Sequence, residues 1–186
     1  MSKTIQTDDD RAWYNLGVAL NDVGRYKEAV LAFEKALKVK PDYYQAWNYL
    51  AHVQKRLGRY WDALTAVDKS IEIEPDLYES WYNRGNILNN LGRYREAVTS
   101  FKKAIEMKPD LYQAWYNCGN ALSSWGRYRE AIAYYDKALE LKPDLSQAWY
   151  NRGNAFFEIG IYEQALASFD KAIEIQPDDY LAWNAR

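Results

Sequence analysis

Asparagine and tyrosine recur where side-chain chemistry could be done. Tyr82-Asn83 with Asn86, Tyr116-Asn117 with Asn120, and Tyr150-Asn151 with Asn154 are one pattern written three times. Residues three apart on a helix project from one side, so each set would form one polar face. An asparagine amide holds both a donor and an acceptor. It can therefore pair with both groups of a ligand's peptide unit, and a ladder of them would grip an extended backbone without reading its sequence. Tyrosines beside them add broad, stiff surface and a hydroxyl at low entropy cost. Each net hydrogen bond contributes about 0.5–1.5 kcal/mol, whereas micromolar binding needs about 8. Three or four asparagines do not reach that unaided, so tyrosine contacts and pockets would have to do much of the binding.

Residue types suited to catalysis are scarce. His52 is the single histidine and Cys118 the single cysteine. A zinc site or catalytic triad needs partners at set geometry, and no motif near either residue supplies them. His52 reads as a polar surface residue and Cys118 as a packing residue. The glycines are spaced for turns and close helix contact, not as a phosphate loop between strand and helix. These readings point away from an enzyme and imply no cofactor and no metal. Net charge is −2, unlike the strongly basic footprint of a nucleic-acid binder. Aromatic content is high at 16%, but Trp115, Tyr128 and Tyr135 fall on apolar stripes and read as core, which lowers the case for a base-stacking platform. Apolar runs are too short to span a membrane, and the first ten residues lack the apolar stretch of a secretory signal. The expectation is a cytoplasmic protein with no nucleic-acid or membrane partner.

The elements that would position these residues come from one 34-residue unit. From Tyr112 to Leu145, small or apolar residues at Trp115, Gly119, Leu122 and Trp125, then at Tyr128, Ala131, Ile132, Tyr135, Ala138 and Leu139, follow the rhythm of two amphipathic helices. Gly126 lies between them, and Pro143 stops the second. The unit recurs: Trp13, Trp47, Trp81, Trp115, Trp149 and Trp183 are each 34 residues apart, as are Pro41, Pro75, Pro109, Pro143 and Pro177. A fixed period of this kind marks a helical array in which stacking makes the core continuous. Junctions read P-D-x-x-[QE], as in Asp42 with Gln45 and Asp76 with Glu79, which predicts a capping box at each. The second copy departs most, carrying His52, Gln54, Lys55 and Arg56 in place of its sisters' residues.

Those residues resemble the tetratricopeptide repeat family. Trp13, Leu16-Gly17, Leu20, Ala29, Phe33, Ala36 and Pro41 follow its pattern in the first unit. In the third, Trp81, Gly85, Leu88, Ala97, Phe101, Ala104 and Pro109 follow it, with Arg84 in the leucine slot. The resemblance implies an all-α, right-handed superhelical array of antiparallel helix pairs, an α-solenoid. Residues 1–9 would be a disordered tail, whose acidic run could cap the first helix. Five repeats would span 10–43, 44–77, 78–111, 112–145 and 146–179, with a sixth cut short at 180–186. The missing capping helix reads as the mark of a fragment of a longer protein.

The resemblance also implies which positions line a concave groove. At the fifth, sixth and ninth positions of the repeats these give Tyr14, Asn15, Asn48, Tyr82, Asn83, Asn86, Tyr116, Asn117, Asn120, Tyr150, Asn151 and Asn154. Chaperone-binding members use a carboxylate clamp of lysines, asparagines and an arginine. Starting at the third repeat, the equivalent residues are Tyr82, Asn86, Asn117, Gln147 and Asn151, which keep the asparagines and lack every cation, so that role is disfavoured. Lys55 and Arg56, with Arg84 in the adjoining repeat, form the most basic point and an expected subsite for an acidic ligand residue. The function implied is a protein–protein interaction scaffold holding an extended peptide or partner segment. The alternative is a self-associating array that stacks end to end through the face around Trp183.

Overall fold

The computed structural model describes residues 9–178 and 180–186. The expected tail, apart from Asp9, lies outside them. Asp9 is the N-cap of the first helix, its Oδ1 accepting from the N–H groups of Arg11 at 3.0 Å and Ala12 at 3.3 Å. Eleven helices and no strand are found among the described residues. They fall into two compact units. The first holds α1 (Asp10–Asp22), α2 (Tyr26–Val39), α3 (Tyr44–Arg56), α4 (Tyr60–Ile73) and α5 (Tyr78–Asn90). The second holds α6 (Tyr94–Met107), α7 (Tyr112–Ser124), α8 (Tyr128–Leu141), α9 (Ser146–Glu158), α10 (Tyr162–Ile175) and α11 (Tyr180–Ala185). In the first, α1 packs on α2 and α3 on α4, with α5 laid against α4 and α3; in the second, the pairs are α7 with α8 and α9 with α10, flanked by α6 and α11.

Four sequence devices make the pairs. The first is the turn inside each pair. Gly126 sits at φ +78°, a left-handed conformation that costs other residues energy. It lets the N–H of Arg127 reach back to the Leu122 carbonyl at 2.8 Å and its own N–H to Ser123 at 2.9 Å, the double bond pattern that ends a helix in a Schellman turn. Trp125, expected on the apolar stripe, is instead exposed at the end of α7, with the Arg127 guanidinium 4.7 Å from its ring centre.

The second device joins one pair to the next. Trp47 Nε1 donates to the Pro41 carbonyl at 2.8 Å, and Trp81 to Pro75, Trp115 to Pro109, Trp149 to Pro143 and Trp183 to Pro177 repeat the bond at 2.8–2.9 Å. The tryptophans are thus clasps between each helix and the turn before it, only partly buried. The capping boxes do not form. The N-cap residues are Tyr43, Leu77, Leu111 and Leu145, one position after each aspartate, and none makes a side-chain cap bond. Backbone carbonyls serve the turn instead, as in Tyr44 N–H to Asp42 O at 3.0 Å.

The third device is a close approach. A Cβ built on Gly17 would lie 2.7 Å from Phe33 Cε1, on Gly119 2.6 Å from Tyr135 Cε1, and on Gly153 2.5 Å from Phe169 Cε1. The aromatic ring of the second helix rests on the bare backbone of the first. The second pair solves the same contact differently, with Ala51 and Val67, both fully buried: the small residue has grown and the ring has shrunk. The fourth device, at three of the junctions, is an ion pair from one pair to the next. Arg84 Nε meets Asp68 at 2.8 Å, Arg152 Nε meets Asp136 at 2.6 Å, and Arg186 Nε meets Asp170 at 2.7 Å. Arg84 therefore occupies the leucine slot to reach back across the junction. It does not belong to a basic patch with Lys55 and Arg56.

Candidate binding face

The first helices of the pairs, α1, α3 and α5 in one unit and α7, α9 and α11 in the other, carry the asparagines and tyrosines. The tyrosines at the fifth positions stand on the rings described above. Tyr14 lies 6.0 Å from Phe33, Tyr116 6.1 Å from Tyr135, and Tyr150 5.9 Å from Phe169, centre to centre. Each has one edge in the core and one outside, which fixes the ring before any ligand arrives. Tyr14 has two further rings beside it, Tyr43 and Tyr49 at 5.0 and 5.6 Å. Burial and these neighbouring hydroxyls push its pKa up to about 12.

The asparagines are bonded to one another. Asn83 Nδ2 donates to Asn48 Oδ1 at 2.8 Å. In the second unit Asn151 Nδ2 donates to Asn120 Oδ1 at 2.9 Å and to the Tyr116 hydroxyl at 3.1 Å, while the Tyr135 hydroxyl also donates to Asn120 Oδ1 at 2.9 Å. The separations of 35 residues, Asn48 to Asn83 and Tyr116 to Asn151, tie the fifth position of one repeat to the sixth of the next. A polar network of this kind rigidifies the face it lies on, and it absorbs part of the hydrogen-bonding capacity expected for a ligand. Among the amide groups that these bonds leave open are the Asn120 NH2 group and both ends of Asn154, which line a cavity of about 260 Å³ with Ser123, Ser124, Tyr135 and Asn151. Asn86 and Asn117 are half-buried on the same helices, and Asn15 is exposed.

The first unit holds a larger cavity, about 450 Å³, lined by Tyr44, Asn48, Tyr49, His52, Glu79, Tyr82 and Asn83 among others. His52, expected at the surface, is half-buried in this wall. Burial lowers its pKa, and the charges of Lys55 and Arg56 add to that. The expected acidic-ligand subsite is not assembled. Arg56 turns to α2, where Nη2 meets the Tyr26 hydroxyl at 3.0 Å and the guanidinium lies 5.4 Å from that ring's centre. Lys55 is half-buried, with its pKa lowered by burial and then by Arg56. Neither lines the cavity.

Tetratricopeptide repeat family matches fall on residues 10–43 and 78–111, on 32–65 and 100–133, and on 118–180. The chain belongs to the tetratricopeptide repeat family. A protein prenyltransferase alpha subunit repeat also matches residues 60–91 of this tetratricopeptide repeat chain. Comparison with curated proteins returns no match. Among solved structures, YrrB, a tetratricopeptide repeat protein with an unusual peptide-binding site, is 26% identical, with 97% of this chain and 93% of that one covered and a TM-score of 0.84. TTC0263, a thermophilic tetratricopeptide repeat protein of Thermus thermophilus, is 25% identical, covering 95% and 96%, with a TM-score of 0.70. A MamA structure from Desulfovibrio magneticus RS-1 is 18% identical, covers 95% and 99%, and has a TM-score of 0.87, a likeness of fold. The fold is thus the all-α tetratricopeptide solenoid.

The remaining candidates are quiet. Cys118 is buried, bonded to Tyr134, and its thiol is pushed up to about 12 by that burial. Trp183 is half exposed on α11, its indole N–H held by Pro177 and Arg186 lying 5.6 Å from its ring centre. Among the described residues no cluster of histidine, cysteine and carboxylate side chains could hold a metal ion, and no helix is long and apolar enough to cross a membrane.

Proposed function

We propose that this tetratricopeptide repeat protein is a protein-interaction scaffold whose asparagine- and tyrosine-bearing helices hold an extended peptide or partner segment. The observation that carries the reading is the state of the amides. Asn48, Asn83, Asn120 and Asn151 are locked in place by each other and by tyrosine hydroxyls, while Asn154 and the Asn120 NH2 face a cavity with bonds still to make. A rigid face with open amide groups loses little freedom on binding. YrrB's peptide-binding site supports the same reading by likeness.

A display library of random linear peptides tests it. Enriched peptides should bind Asn154→Ala at least about tenfold more weakly, the loss of one or two amide bonds. Lys171→Ala, which alters only an exposed pair with Glu174 on α10, should leave binding unchanged. No enrichment, or peptides indifferent to Asn154, overturns the reading. Asn154 is the chosen position because Asn83 and Asn151 also hold neighbouring repeats together, so their loss would confuse binding with stability.

A further inference from the structure

We infer that the 450 Å³ cavity of the first unit is a subsite for an arginine side chain of the bound segment, received by Glu79. The inference rests on the peptide-binding reading and gives it a chemical preference. Glu79 Oε2 is buried and has no hydrogen-bond partner. A buried carboxylate oxygen without a donor is costly and calls for an explanation. Its place in the first turn of α5 gives it favourable backbone polarity but brings no donor to that oxygen. A guanidinium does, with planar paired N–H groups that match a carboxylate. Tyr44, Tyr49 and Tyr82 line the same cavity and supply aromatic surface of the kind on which a guanidinium rests.

Two departures from the repeat create the site. The fifth and sixth positions read Asn48-Tyr49, the reverse of the tyrosine-asparagine order in the other repeats. The smaller side chain therefore stands where Tyr14, Tyr116 and Tyr150 carry a ring over their own core residue, and Tyr49 instead stacks on Phe33 at 5.7 Å. At the second position the third repeat carries Glu79 where its neighbours carry Gln45, Gln113 and Gln147. The space and the charge coincide only here. Competing cations are placed elsewhere: Arg56 is on Tyr26, and Arg84 is on Asp68. Lys55 and Arg56 act on His52 at one end of the cavity wall, while Gln45, on the Glu79 side of α3's first turn, lies ten residues before Lys55, about 15 Å along the axis.

The test titrates the isotope-labelled full chain with N-acetyl-argininamide and follows backbone amide signals by NMR. Saturable shifts are expected at Glu79, Tyr82 and Asn48, with affinity at least about tenfold lower in Glu79→Gln and little response to N-acetyl-norleucinamide. Asn48→Tyr, which restores the ring its sister repeats carry, should abolish the response while circular dichroism stays helical. Should Glu79→Gln fail to fold, Asn48→Tyr and the norleucine comparison in the unaltered chain still decide. Absence of shifts at these residues, equal binding by Glu79→Gln, or equal binding of the norleucine probe overturns the subsite. A library that enriches peptides at the Asn154 face without arginine also overturns it and leaves the peptide-binding reading standing. Probe binding at Glu79 with no peptide enriched anywhere overturns the peptide-binding reading, and leaves a guanidinium site that serves no bound segment.

Discussion

Gly17→Ala should destabilise the first repeat by about 1–2 kcal/mol, although alanine is the better helix former. The ideal Cβ falls 2.7 Å from Phe33 Cε1 and 2.8 Å from two further ring atoms. Ordinary contact begins near 3.4 Å, so the ring must retreat about 0.7 Å. It has nowhere to go: Phe33 is fully buried, with Tyr14 on one side and Tyr49 stacked on another. Overpacking of this kind costs about 1–3 kcal/mol, offset by about 1 from helix propensity. The second repeat shows the compensated arrangement, Ala51 against Val67. In a Phe33→Val background the same Gly17→Ala change should therefore turn stabilising by up to about 1 kcal/mol, giving a coupling of about 2. Urea unfolding of the four proteins, read by circular dichroism, measures it. Equal effects of Gly17→Ala in both backgrounds would refute the steric account. Because Phe33 carries Tyr14 and Tyr49, the single variant should also disturb signals from the binding face.

Two further outcomes follow from the buried chemistry. Cys118, with its thiol raised to about 12 by burial, should resist iodoacetamide in the native protein at about pH 8, since thiolate is the reactive form, and react once urea unfolds the chain; rapid native alkylation would contradict that placement. Arg152→Ala should cost about 1–2 kcal/mol, because Arg152 bonds Asp136 at 2.6 Å and Ser168 at 2.7 Å and covers Phe156, whereas Lys171→Ala, from an exposed pair with Glu174, should stay within about 0.5. Equal effects in thermal unfolding would mean that the junction pairs contribute no more than surface ones.

The repeat was legible because its punctuation has local causes. Gly126 marks a left-handed turn and Pro143 a stop, and neither needs a partner to be read. What escaped depends on partners. Trp115 looked like core by its spacing, yet its indole N–H answers the Pro109 carbonyl six residues back, and the direction of the ring cannot be read from spacing. The aspartates after each proline looked like caps, but the extended turn runs one residue further, through Tyr43 or Leu111, so the caps miss their register. Arg84 looked like a groove cation. Its partner Asp68 lies on the preceding pair, and the sequence did hold the signal: where the aspartate's place is taken by Glu34 or Lys102, the arginine's place is taken by Leu50 or Cys118. His52 and Glu79 were each read singly, as a surface residue and a cap, and the cavity they share cannot be seen from either alone.

The binding face illustrates a division of labour between what repeats and what does not. Most of the regular features are already engaged within the fold: tryptophan with proline, tyrosine with its ring, the fifth- and sixth-position side chains with each other. A ligand gains little from groups so occupied, since each net bond it makes must replace one that exists. Selectivity therefore has to come from groups the repeat leaves unsatisfied, and these differ between the units. The second unit offers amide groups at Asn120 and Asn154, which suit any backbone. The first offers a carboxylate oxygen without a donor, beside a cavity that a reversed Asn48-Tyr49 pair keeps open. An arginine would answer the first unit's carboxylate and plain backbone the second unit's amides, and a ligand lacking the arginine would leave Glu79 Oε2 without a donor. On that account, Asn48→Tyr would cost the scaffold its preference while keeping Tyr49 on Phe33, the new hydroxyl standing where Tyr116 accepts from Asn151 in the second unit.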